Sequence, residues 1–96
     1  MGSVGKGMDS YLSDIQKEQL IIGIKNHTKE QNAKMENTIK TYIEKEKQYV
    51  DNLDNYIKVG YIKSADDEWY QGHLNTYKSL KAQYEFVKKE RKKQGK

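Results

Sequence analysis

Between Met35 and Ile57 the apolar positions fall at Met35, Ile39, Tyr42-Ile43, Tyr49-Val50, Leu53 and Tyr56-Ile57, with Glu46 filling one place of the row. The steps alternate four and three, the spacing of a helix that packs along another helix. The opposite side carries Lys40, Glu44, Lys47, Asp51 and Lys58, a face suited to water. Glu30–Lys34, Glu36–Lys40 and Asp54–Lys58 stand acid before base at i,i+4, each pair worth about 0.3 kcal/mol to a helix.

Tyr42, Tyr49 and Tyr56 recur at every seventh place, each followed by Ile or Val. Past Gly60 the tyrosine spacing resumes at Tyr70, Tyr77 and Tyr84, but the companion now lies three places on, at His73, Leu80 and Val87. The seam has changed its angular position, so the chain is expected to turn between the two sets. Gly60 can take the left-handed conformation that ends a helix, and Ser64-Ala-Asp-Asp67 offers an N-cap followed by acids in the first turn. The pattern predicts an antiparallel, coiled-coil-like helical hairpin with arms at about 28–59 and 65–93. Ile43, Val50, Leu53 and Ile57 are expected opposite Tyr77, Leu80, Tyr84 and Val87. The tyrosine repeat thus reads as a packing seam. Because a tyrosine ring can pack while its hydroxyl stays wet, the seam is partly hydrated.

The N-terminal third repeats the helical signal. Met8, Ile15 and Ile22 are seven apart and in phase with Ile43, Val50 and Ile57, whereas Lys25 to Lys34 holds no large apolar residue. Thr28-Lys-Glu-Gln31 has the capping-box form. A separate helix at about 9–25 is favoured, giving three helices in an all-α chain. The alternative is one helix of about 50 residues, about 75 Å long. Residues 1–7 read as an unstructured leader or expression remnant, and residues 8–94 as a single helical domain.

Composition makes the core thin. Of 96 residues, 34% are hydrophobic and 33% charged, and mean hydropathy is -1.11. So small a chain with so little apolar material favours an elongated assembly or one completed by a partner. The absence of cysteine excludes disulfides, thiolate zinc sites and thiol catalysis. The longest aliphatic run, Leu20-Ile21-Ile22-Gly23-Ile24, falls far short of the ~20 residues of a membrane span, and a cytoplasmic location is expected.

Asp66, Asp67 and Glu68 precede His73, and His27 precedes Glu30. Catalysis or metal binding would need such groups to converge in a water-poor pocket, but acids at a helix start already favour the macrodipole. No enzyme activity, metal or cofactor is expected. The densest aliphatic cluster, Leu12, Ile15, Leu20, Ile21, Ile22 and Ile24, exceeds what the hairpin can cover. It predicts the main association surface of a homodimer or a heteromeric complex. Trp69, the sole tryptophan, is either a cap on the hairpin core beside Tyr61 and Ile62 or a further partner anchor.

Trp69-Tyr-Gln-Gly72 and Phe86-Val-Lys-Lys-Glu90 resemble the Trp-x-Gly and aromatic-x3-acid motifs of small two-helix proteins of the WXG100 type. The likeness covers the hairpin only. It implies a helical partner in type VII secretion, exported without a signal peptide. A third expectation comes from charge. Residues 88–96 carry six basic groups against one acid, while the remaining 87 residues hold twelve basic and thirteen acidic groups. Lys88, Lys89, Arg91, Lys92 and Lys93 are therefore candidate phosphate contacts of a weak, salt-sensitive nucleic-acid binder. The segment 91–96 reads as a basic tail whose removal leaves stability unchanged, since it has no apolar anchor.

Overall fold

A computed structural model of the chain describes residues 11–96. The leader 1–7 and Met8 lie outside the described residues. The described residues are all-helical, with four helices instead of three: α1 (Asp14–Asn26), α2 (Lys29–Asp51), α3 (Leu53–Lys58) and α4 (Glu68–Gln94).

Each boundary has a local cause. Helix α1 starts at a capping box, with Ser13 Oγ accepting from the Gln16 amide at 3.1 Å and Gln16 Oε1 accepting from the Ser13 amide at 2.8 Å. The helix thus starts at Asp14, and the expected start at residue 9 lies outside the described residues. Two extended residues, His27 (ψ 155°) and Thr28 (ψ 163°), separate α1 from α2. Thr28 and Gln31 cap α2 reciprocally at 3.1 and 2.9 Å, so the single long helix is not formed.

The expected arm 28–59 is interrupted at Asn52. Its side-chain amide donates to the Gln48 carbonyl at 2.7 Å, the acceptor its own backbone N–H would take in an unbroken helix. That N–H turns to Tyr49 instead, at 3.4 Å. A short polar side chain competing with the backbone is a recognised helix breaker. Helix α3 then stops at Gly60, whose φ is +79°. Tyr61 N–H donates to the Tyr56 carbonyl and Gly60 N–H to that of Ile57, at 2.9 and 3.1 Å, the two bonds of a Schellman motif. Tyr56 and Tyr61 supply its apolar contact, with centroids 5.9 Å apart.

Helix α4 begins three residues later than expected. Ser64 Oγ is used up in the loop by the Asp66 amide at 3.2 Å. Asp67 is the cap, its Oδ1 accepting from the amides of Trp69 (2.9 Å) and Tyr70 (3.2 Å). A second Schellman motif closes α4 at Gly95, φ +70°, through Lys96 N–H to the Arg91 carbonyl at 2.9 Å.

Helices α2 and α4 run antiparallel, since Glu36 meets Arg91, Glu46 meets His73 and the Val50 carbonyl accepts from the Tyr70 hydroxyl. The core joins Ile24, Ile39 and Val87, with Leu20, Met35, Ile43, Leu80 and Tyr84 packed around it. Helix α1 lies against α4, and the outline is flat and elongated, 48 × 35 × 16 Å. The seam is less complete than expected. Ile57 and Tyr42 stay exposed, Val50 and Leu53 are half-buried, and the packing against α4 comes mainly from α2, not from α3 beyond the break at Asn52. Glu36 pairs across to Arg91 at 2.9 Å and not with Lys40. The Glu30–Lys34 and Asp54–Lys58 pairs are not among the ion pairs of the described residues. On the solvated face Lys47 meets Asp51 at 2.6 Å, and that hydrogen bond and charge hold the Lys47 ammonium above its ordinary pKa.

Candidate functional site

The aliphatic cluster expected to form one surface is split by helix geometry. At about 100° per residue, Leu20 and Ile24 point one way from α1 while Ile15 and Ile22 point the other. Ile24 is 0% exposed and belongs to the core, and Leu12 is buried as well. Leu20 packs against the core cluster. Leu12 and Ile24 are thus taken up inside the chain and Leu20 is half-buried, which leaves less of the cluster open to water. What remains is Ile15 at 67% and Ile22 at 57% exposure, with Ile21 at their border.

At the far end of α4, Trp69 occupies the second helical position and is half-buried. It is ringed by Tyr49, Tyr56 and Tyr61, at centroid distances of 5.8, 5.2 and 5.1 Å and interplanar angles of 87°, 82° and 86°. His73 stacks on Tyr49 at 4.1 Å and is anchored by Glu46 at 2.5 Å. Trp69 thus closes this end of the helix pair while keeping part of its ring open to water. Gly72 lies within α4 with open space around its Cα, so the Trp-to-Gly segment is helical and lies beyond the turn.

The basic segment is not a loose tail. Gln94 Nε2 donates to the Ile21 carbonyl at 3.2 Å, and Lys96 Nζ to that of Lys25 at 2.9 Å. The Lys96 carbonyl accepts from Arg91 Nε and Asn32 Nδ2, each at 3.3 Å. The ties that hold the segment are thus polar groups and backbone carbonyls, not apolar contacts. Lys88, Arg91 and Lys92 line a shallow concavity with Lys29, Glu36 and Lys96; Lys89 and Lys93 lie outside it and exposed. Arg91 is committed to Glu36, and Lys88 sits over the Tyr84 ring at 5.2 Å.

Sequence reasoning passed over Asn32. It is 0% exposed, donates to the Ile24 carbonyl at 3.0 Å and to that of Lys96, and shares a 3.3 Å hydrogen bond with His27 Nδ1. One side chain therefore ties α1, α2 and the end of α4. An asparagine inside the polar gap between two amphipathic helices was the available signal. Among the described residues no three His, Asp or Glu side chains converge as a metal site, and no helix is long and apolar enough to cross a membrane. No family model, curated protein or solved structure matches the chain.

Proposed function

We propose that this chain is a non-catalytic helical interaction module, working in the cytoplasm through an oligomer or a partner complex. The α2–α4 pair serves as its coiled-coil-like platform and α1 presents the association surface. The observation behind this reading is the two-sidedness of α1. Ile24 anchors it in the core while Ile15 and Ile22 face water at 67% and 57% exposure. Holding branched aliphatics outward on a well-capped helix has no folding benefit, and a second apolar helix face is the chemistry that fits them.

The test is a pair of substitutions, Ile15→Asp and Ile22→Asp, read by light scattering and far-UV circular dichroism. Loss of the oligomer or partner complex with helicity retained is expected. A wild-type protein that stays monomeric at high micromolar concentration, and recovers no partner, would overturn the reading.

A phosphate-binding reading is favoured by one observation, the convergence of Lys29, Lys88, Arg91, Lys92 and Lys96 on one concavity. It calls for salt-dependent binding of nucleic acid that weakens when Lys88 and Lys92 are replaced by Gln.

A further inference from the structure

The opposite end of α4 from the α1 surface carries a concavity of about 380 Å³ lined by Tyr49, Asn55, Tyr56, Val59, Tyr61 and Trp69. Four of the six are aromatic and none is charged. Each tyrosine ring stands within 8° of perpendicular to the indole. Tyr56 and Tyr61 are tilted at 50° to each other, so the aromatic border of the concavity presents rings in several orientations to a guest. The ring positions are fixed in advance. His73, held by Glu46, stacks on Tyr49 and meets Trp69 edge-on at 4.8 Å without entering the concavity, and the Schellman turn at Gly60 places Tyr61.

From this we propose that the concavity binds a quaternary alkylammonium group. A cation over an aromatic face is attracted by the ring quadrupole, and tryptophan is the strongest such ring. The uncharged lining selects the kind of cation. A primary ammonium would give up hydrogen bonds to water with no carboxylate to replace them, a costly burial. A quaternary ammonium has no N–H to satisfy and presents only methyl surface with spread charge. This site is independent of the α1 surface, and either can fail without the other.

Trp69 is the only tryptophan, so its fluorescence reads the site directly. Tetramethylammonium is titrated at constant ionic strength, and then choline and Nε-trimethyl-lysine, whose relative affinities distinguish a free metabolite from a modified side chain. Neohexyl alcohol, the uncharged carbon isostere of choline, is the control. A saturable emission change is expected for the cations, with the isostere weaker by about tenfold. Tyr61 is 64% exposed, so Tyr61→Ala should leave the helix pair folded, with a melting temperature lower by only several degrees, and weaken tetramethylammonium binding about fivefold. Equal binding of neohexyl alcohol would overturn the proposal. So would an absence of any change in Trp69 emission and aromatic NMR shifts at tens of millimolar cation, or wild-type affinity in Tyr61→Ala.

Discussion

Replacing Asn32 with alanine tests how the three long helices are joined. The side chain is 0% exposed and makes three polar contacts, to the Ile24 and Lys96 carbonyls and to His27. Each such bond contributes about 0.5–1.5 kcal/mol net, and buried groups left without partners add their desolvation cost. The contacts at 3.3 Å sit at the weak end of that range, so the sum is about 2–4 kcal/mol. For a chain of this size that lowers the melting temperature by roughly 10–25 °C. Asn32→Asp should cost more still at neutral pH, because a carboxylate cannot donate and would face two carbonyl oxygens. The assay is thermal and urea unfolding by circular dichroism, with exposed Asn75→Ala on α4 as the control. If Asn32→Ala melts within about 2 °C of that control, the junction role assigned to Asn32 is wrong.

Deleting residues 94–96 should destabilise the chain by about 1–2 kcal/mol, seen in the same melts, because the bonds to Ile21, Lys25, Arg91 and Asn32 are lost with the closing turn. Two glycines should respond in opposite senses. At Gly60 a Cβ meets nothing within 4 Å but φ is +79°, so Gly60→Ala costs about 1–2 kcal/mol in conformational strain. Gly72 is exposed inside α4 with the same open space, and Gly72→Ala should add about 1 kcal/mol of stability by urea unfolding.

The helical class and several helix ends were legible because their causes are local. The Thr28–Gln31 box and the left-handed turn at Gly60 each depend on residues within one turn of the chain. Ser13-x-x-Gln16 carries the same signal as Thr28 and could have been read equally well. The start of α4 was ambiguous because Ser64 and Asp67 are both good caps, and only the loop geometry decides between them. The break at Asn52 depends on one side chain outcompeting its own backbone, which spacing does not encode. Asn32 stood out only as an asparagine in the polar gap, and its partner at Lys96 was hidden because that bond spans 64 residues. The aliphatic cluster of α1 was visible as a patch. Its division into a buried and an open side depended on where α4 would lie.

The thinness of the core has a thermal consequence. The large side chains most fully shut off from water are Ile24, Val87 and Asn32, and one of these is polar. Unfolding therefore uncovers little apolar surface, and the heat capacity change should fall below the usual ~12–15 cal/mol/K per residue. A small heat capacity change flattens the dependence of stability on temperature. This chain should gain little from cooling, resist cold denaturation, and melt over a broad interval.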